Sequence, residues 1–233
     1  MMYCYDVANI NWIKEDKDTF PFSAFSMNPS IAARDLKGSD KTFAENVKEI
    51  WDVIGPDVEF NVQTVGVTAD DIIKDAYAIK AMIDDPNNKL QVKVNCFPEG
   101  YKAMKVLYKE GFNITATAIA SVNQALLAAE CGAAWTAVYV GRTDNISGDG
   151  IKVIEGIRKV YDAQGIKHTR LSAASLKTAR HVEDAALAGA DLVAISHDVL
   201  KAISTHPLTE QCIASFTSDW EGLYGKGKMI WNL

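Results

Sequence analysis

"LQVKVNCFPEGYKAMKVLYKEG", residues 90–111, contains one complete repeat of the pattern from which the chain is built. Leu90, Val92 and Val94 form a short apolar run, Pro98 and Gly100 break it, and apolar residues then recur at helical spacing through Tyr101, Met104 and Tyr108 to Gly111. A short run rich in Val, followed by a segment with proline in its first turn and glycine at its end, reads as a buried strand leading into an amphipathic helix. One residue breaks the strand pattern: Lys93 puts an ammonium group between two valines.

The same unit recurs in both directions. Further strands are read at 1–7, 22–27, 58–65, 114–119, 135–140, 168–175 and 191–196, and helical segments at 42–54, 69–85, 121–132, 150–165 and 177–190. Thr68 or Asp70 can cap the second of these helices, and Gly111, Gly132, Gly165 and Gly189 fall where helices should end. No Pro/Ser-rich linker divides the chain, and "DDPNNK" at 84–89 is a turn. Eight strand–helix units in 233 residues predict a single (β/α)8 TIM barrel over 1–233, with an open doubly wound sheet as the alternative.

Composition narrows the function. The chain is 48% hydrophobic and 23% charged, ordinary for a globular protein. Its net charge of −6, with Lys and Arg scattered, offers no footprint for nucleic acid. No apolar run is long enough to span a membrane, and "MMYCYDVANINW" does not read as a signal peptide. Cys4, Cys96, Cys131 and Cys212 form no CxxC or zinc-ligand spacing, so a reducing cytoplasm is expected.

A barrel concentrates chemistry at the C-terminal ends of its strands. The polar residues there are Asp6, Ser26, Asn28, Gln63, Thr64, Lys93, Asn95, Thr115, Thr117, Tyr139, Arg142, Ser172, Ser175, Ser196 and His197. Lys93 is the one amine. An isolated strand lysine can snorkel to solvent, but a closed barrel has no edge strand and covers both strand faces. Burial disfavours the charged form of an amine, and a neutral amine facing a cavity adds to a ketone to form a Schiff base. Asp6 and Tyr139, at other strand ends, are titratable groups able to move protons for such chemistry.

Seven ordered segments, "YD" at 5–6, "MNPSI" at 27–31, "VQTVGVTADD" at 62–71, "VKV" at 92–94, "TATAI" at 115–119, "VYVGRTDNISGDG" at 138–150 and "AASLKT" at 173–178, together resemble the small transaldolase family. Within it the chain most resembles the fructose-6-phosphate aldolase branch. The resemblance implies Lys93 as the Schiff-base lysine, Asp6 as the aspartate of strand one, and Asn28 as a ligand of a substrate hydroxyl. It also implies Gln63 and Thr117 as holders of a catalytic water, and Arg142 and Ser175 as the phosphate-binding pair. Gln63 and Tyr139 match the aldolase branch, where transaldolases typically carry Glu and Phe. The sequence departs from the family at Ser26 and Met27, which replace a threonine pair in the sugar-contacting wall, Ser26 keeping a hydroxyl and so the expected substrate-binding role, at Asn95, which replaces a proline, and after Thr178, where a proline is missing.

No cofactor and no metal are implied. His168, His181, His197 and His206 share no ligand spacing, so they do not form the histidine cluster of a metal-dependent aldolase. His197 is expected to be a structural histidine, Cys96 an apolar filler, and the "GDG" at 148–150 a helix-start turn. The tail, about 207–224, is similar to the family's C-terminal helix. Its neighbourhood carries Trp220, Tyr224 and Trp231, which suit a subunit contact, and the resemblance implies a homo-oligomer, a pentamer or decamer. The expected partners are sugar phosphates and dihydroxyacetone-type small molecules. The expected activity is Schiff-base cleavage of fructose 6-phosphate to dihydroxyacetone and glyceraldehyde 3-phosphate; transaldolase transfer and a non-catalytic sugar-phosphate-binding barrel are the alternatives.

Overall fold

Eight parallel strands pair in sequence order and close on themselves, β8 returning to β1. The computed structural model describes residues 1–233. The strands are β1 (Met2–Asp6), β2 (Phe22–Met27), β3 (Glu59–Gln63), β4 (Leu90–Asn95), β5 (Asn113–Ile119), β6 (Trp135–Tyr139), β7 (Arg170–Ala174) and β8 (Leu192–Ile195). Around them run α1 (Ile10–Asp16), α2 (Pro29–Asp35), α3 (Phe43–Ile54), α4 (Ala69–Lys80), α5 (Pro98–Lys109), α6 (Val122–Glu130), α7 (Val140–Asp144), α8 (Gly150–Gln164), α9 (Ala179–Leu187), α10 (His197–Ser204) and α11 (Pro207–Tyr224). The closed barrel resolves the choice between barrel and open sheet.

Alternation along each strand divides the core. Outward residues such as Phe25, Val62, Val92 and Val94 join the inner helix faces in one large apolar cluster. Inward residues form a second, smaller cluster of Cys4, Ala24, Trp135, Ala137, Ala174, Leu192 and Ala194, mostly small side chains that suit a narrow interior. At the N-terminal end the barrel is plugged. Glu59 accepts hydrogen bonds from Trp135 Nε1 at 2.9 Å and Arg170 Nη2 at 2.7 Å, and the guanidinium lies 3.8 Å over the indole ring.

The helix signals operate largely as read. Thr68, rather than Asp70, caps α4 by accepting from the Asp71 N–H; Pro98 opens α5; Asp149 caps α8, whose first residue is Gly150. The largest difference at a helix end is in α4, which stops at Lys80 and not at residue 85; beyond it the Asp85 carboxylate takes the N–H groups of Lys89 and Leu90 and shapes a turn into β4. Four short helices were not expected from the periodicity: α1, α2, α7 and α10. No helix is long and apolar enough to cross a membrane. α11 follows the expected tail but has no buried residue; Phe216 is 68% and Leu223 73% exposed.

Candidate active site

Lys93 is the centre of the barrel's C-terminal half. It is 4% exposed, and its ammonium nitrogen donates to Ser26 Oγ at 2.8 Å. Its backbone carbonyl accepts from both the N–H and the hydroxyl of Thr64 at 3.1 and 3.2 Å, which pins the strand at this residue. Strand register sets Lys93 beside Gln63 on β3 and Thr115 on β5, and Asn95 beside Thr117.

Above Lys93 opens a cavity of about 270 Å3 at the barrel mouth. Six of the nine residues expected from sequence line it: Asp6, Asn28, Lys93, Tyr139, Arg142 and Ser175. Ser26, Gln63 and Thr117 do not line it. Ser26 lies below, in the barrel interior, where its hydroxyl accepts from the Lys93 amine. Gln63 donates from Nε2 to Asn95 Oδ1 at 3.1 Å; its Oε1, Thr117 Oγ1 and Asp6 Oδ1 are buried and have no partner among protein atoms. Buried polar atoms are nearly always hydrogen-bonded, so three such atoms around one lysine mark a site that works with solvent or ligand atoms.

The local folding of each wall explains the placement. Asn28 caps α2, accepting the Ile31 N–H at 3.0 Å on Oδ1, which leaves its amide N–H groups free. Tyr139 ends β6, and Arg142 one turn on lies 5.0 Å over its ring. α7 can approach the loop after β7 because residue 141 is glycine. A Cβ there would stand 2.5 Å from the Ser175 carbonyl oxygen, which instead accepts the Gly141 N–H at 3.1 Å. Ser175 itself has φ +59°, a conformation costly for a non-glycine residue and concentrated at functional sites.

Three polar lining residues escaped the sequence reading: Ser30, Arg34 and Lys177. They sit on a helix or loop beyond the strand ends, and only the unrecognised α2, which sets Ser30 and Arg34 four residues apart on one face, could have signalled the first two. His197 is structural, as expected. It is 6% exposed, stacks on Trp12 with ring centres 4.2 Å apart, and its Nδ1 lies 2.6 Å from the Tyr5 hydroxyl, which donates to Asp16 at 2.5 Å. Cys96 is buried in the apolar cluster, and burial pushes its thiol up to about 12, so it is an inert filler. A larger groove, about 650 Å3, lies outside the barrel between α9, α10 and the start of α11; it is more apolar and holds none of the converging polar groups of the mouth.

Comparison with known proteins is consistent with this geometry. The family model described as Transaldolase/Fructose-6-phosphate aldolase matches residues 3–227. The chain is 35% identical over 226 residues to a probable transaldolase of Brachyspira hyodysenteriae, covering 97% of this chain and 100% of that protein. It is 37% identical over 225 residues to a probable transaldolase of Agathobacter rectalis, with the same coverage. Among solved structures, a thiamine phosphate pyrophosphorylase from Pyrococcus furiosus superposes with a TM-score of 0.57 at 17% identity, covering 87% of this chain and 91% of that one, a likeness of fold alone.

Proposed function

The chain belongs to the transaldolase/fructose-6-phosphate aldolase family, and we propose that within it the protein is a Schiff-base aldolase that cleaves fructose 6-phosphate to dihydroxyacetone and glyceraldehyde 3-phosphate. The observation that carries this reading is Lys93: a buried amine with one neutral hydrogen-bond partner, facing a cavity that also holds Asp6 and Tyr139.

In this reading Lys93 Nζ attacks C2 of the ketose and water leaves, giving a protonated imine. Asp6 takes the proton of the C4 hydroxyl, the C3–C4 bond breaks, and its electron pair flows into the imine to leave an enamine and a free aldehyde. Tyr139 returns a proton to C3 by way of a water held by Gln63 and Thr117, and that water hydrolyses the imine. Asn28 binds a sugar hydroxyl. Arg142 and Ser175 hold the phosphate, for which a planar guanidinium is suited.

The competing reading is transaldolase transfer, favoured by the names of the similar proteins. Release of glyceraldehyde 3-phosphate from fructose 6-phosphate, followed with a coupled dehydrogenase with and without erythrose 4-phosphate, separates the two. Release without acceptor is expected; release only with acceptor would replace the aldolase by the transaldolase. Borohydride with fructose 6-phosphate should trap an adduct on Lys93, and Lys93→Arg should abolish it. No adduct with any ketose would favour the non-catalytic sugar-phosphate-binding barrel. We also propose that the protein works as a homo-oligomer in the cytoplasm, with α11 lying on a neighbouring subunit; a helix with no buried residue, starting beside an apolar groove, supports that contact.

A further inference from the structure

Asn95 lies two residues past Lys93 on β4, so its side chain points to the same face of the strand. Strand register sets Gln63 of β3 beside Lys93 and Thr117 of β5 beside Asn95, which gathers these side chains at the upper ends of three consecutive strands. Thr117 is wholly buried, and β5 is distorted around it. Its register with β6 shifts between Ala116 and Ile119, and Ala118 has φ +59°, a costly conformation for a residue with a side chain. Such distortions gather beside functional sites, and this one accompanies a buried hydroxyl that no protein atom satisfies.

The reaction proposed above asks Gln63 and Thr117 to hold a water, and one bond decides which way round Gln63 presents its amide. Gln63 Nε2 donates to Asn95 Oδ1 at 3.1 Å, so Oε1 is the end left buried and unpartnered. An amide oxygen only accepts, whereas the Thr117 hydroxyl can donate or accept. A water between them gives one hydrogen to Oε1 and takes the Thr117 hydrogen on one lone pair. Its second hydrogen and second lone pair remain for the reacting atoms. Were the amide reversed, Nε2 would donate into the water and compete with the reacting atoms for its lone pairs.

We propose that Asn95 is a positioning residue for the reaction: by holding Gln63 Nε2 it fixes Oε1 toward the water and keeps that water basic and nucleophilic. This rests on the Schiff-base reading of Lys93.

The test is hydrogen exchange of dihydroxyacetone in deuterated water, followed by proton NMR beside borohydride trapping, on the full-length protein. Once the imine has formed, the water takes a proton from the carbon next to it and the C–H electron pair becomes the enamine double bond. Protonation by deuterated water then returns a deuteron to that carbon. The wild type should give an adduct and exchange. Asn95→Leu and Asn95→Val should trap the same amount of adduct at saturating dihydroxyacetone, while exchange per adduct falls about tenfold, the scale of one hydrogen bond. In a Gln63→Leu background, which has no amide to orient, Asn95→Leu should cause no further loss. Unchanged exchange in an Asn95 variant that keeps the adduct, or an equal further loss without Gln63, would overturn the assignment and leave the Schiff-base reading standing. Loss of the adduct in both Asn95 variants would mark a structural residue and also overturn it. A wild type that gives no adduct with any ketose would overturn the assignment and the Schiff-base reading together.

Discussion

Tyr139→Phe removes one hydroxyl from a cavity whose other titratable lining groups near the reacting carbons are Asp6 and Lys93. If that hydroxyl protonates the enamine, acceptor-free release of glyceraldehyde 3-phosphate should fall about 100-fold, the low end of general acid–base effects, while transfer to erythrose 4-phosphate persists. The coupled assay run with and without acceptor reads both rates. Lys93 was legible because an ammonium between two valines contradicts its surroundings, and Asp6, Tyr139 and Arg142 because barrel geometry points to strand ends. Arg34 and Lys177 were not, since neither lies on a strand and an arginine beside an aspartate reads as a solvated pair. The bond from Gln63 to Asn95 was equally hidden, because it depends on the register between β3 and β4, which a linear pattern does not specify.

Gly141 decides how closely α7 meets the loop after β7. Gly141→Ala places a methyl group 2.5 Å from the Ser175 carbonyl, so the two elements must part and Arg142 must leave Ser175 and Lys177. KM for fructose 6-phosphate should rise about tenfold, as expected for a lost charge-assisted contact, while borohydride still traps dihydroxyacetone, which has no phosphate, on Lys93. All eight strands were legible from runs of β-branched and apolar residues; the elements missed were short. α1 and α2 have 7 residues each, α7 has 5 and α10 has 8, little more than two turns at most, too few for a helical period to stand out from its flanks. These helices form because tertiary neighbours hold them, as the stacking of Trp12 on His197 joins α1 to α10.

Across the molecule, stability and assembly are set far from the mouth. Glu59→Ala strips Trp135 Nε1 and Arg170 of their acceptor at the plugged end, and should lower unfolding free energy by about 2–4 kcal/mol in urea titration with KM unchanged. Phe216→Asp combined with Leu223→Asp, on the uncovered helix α11, should convert the proposed oligomer to monomers in sedimentation velocity without unfolding the barrel, since α11 contributes nothing buried to it. That barrel followed from the regularity of the repeats, whereas α11 buries no residue within the chain, so the proposed subunit contact has no counterpart in it. The plug of Glu59, Trp135 and Arg170 has a kinetic consequence too. With the far end sealed, everything enters and departs through one opening, and in the proposed mechanism one of the two fragments of a cleaved ketose is still bonded to Lys93 when the other is free to go. Departure is therefore ordered, aldehyde first, and dihydroxyacetone should inhibit competitively against fructose 6-phosphate while glyceraldehyde 3-phosphate inhibits noncompetitively, a pattern that initial-rate product-inhibition plots would display.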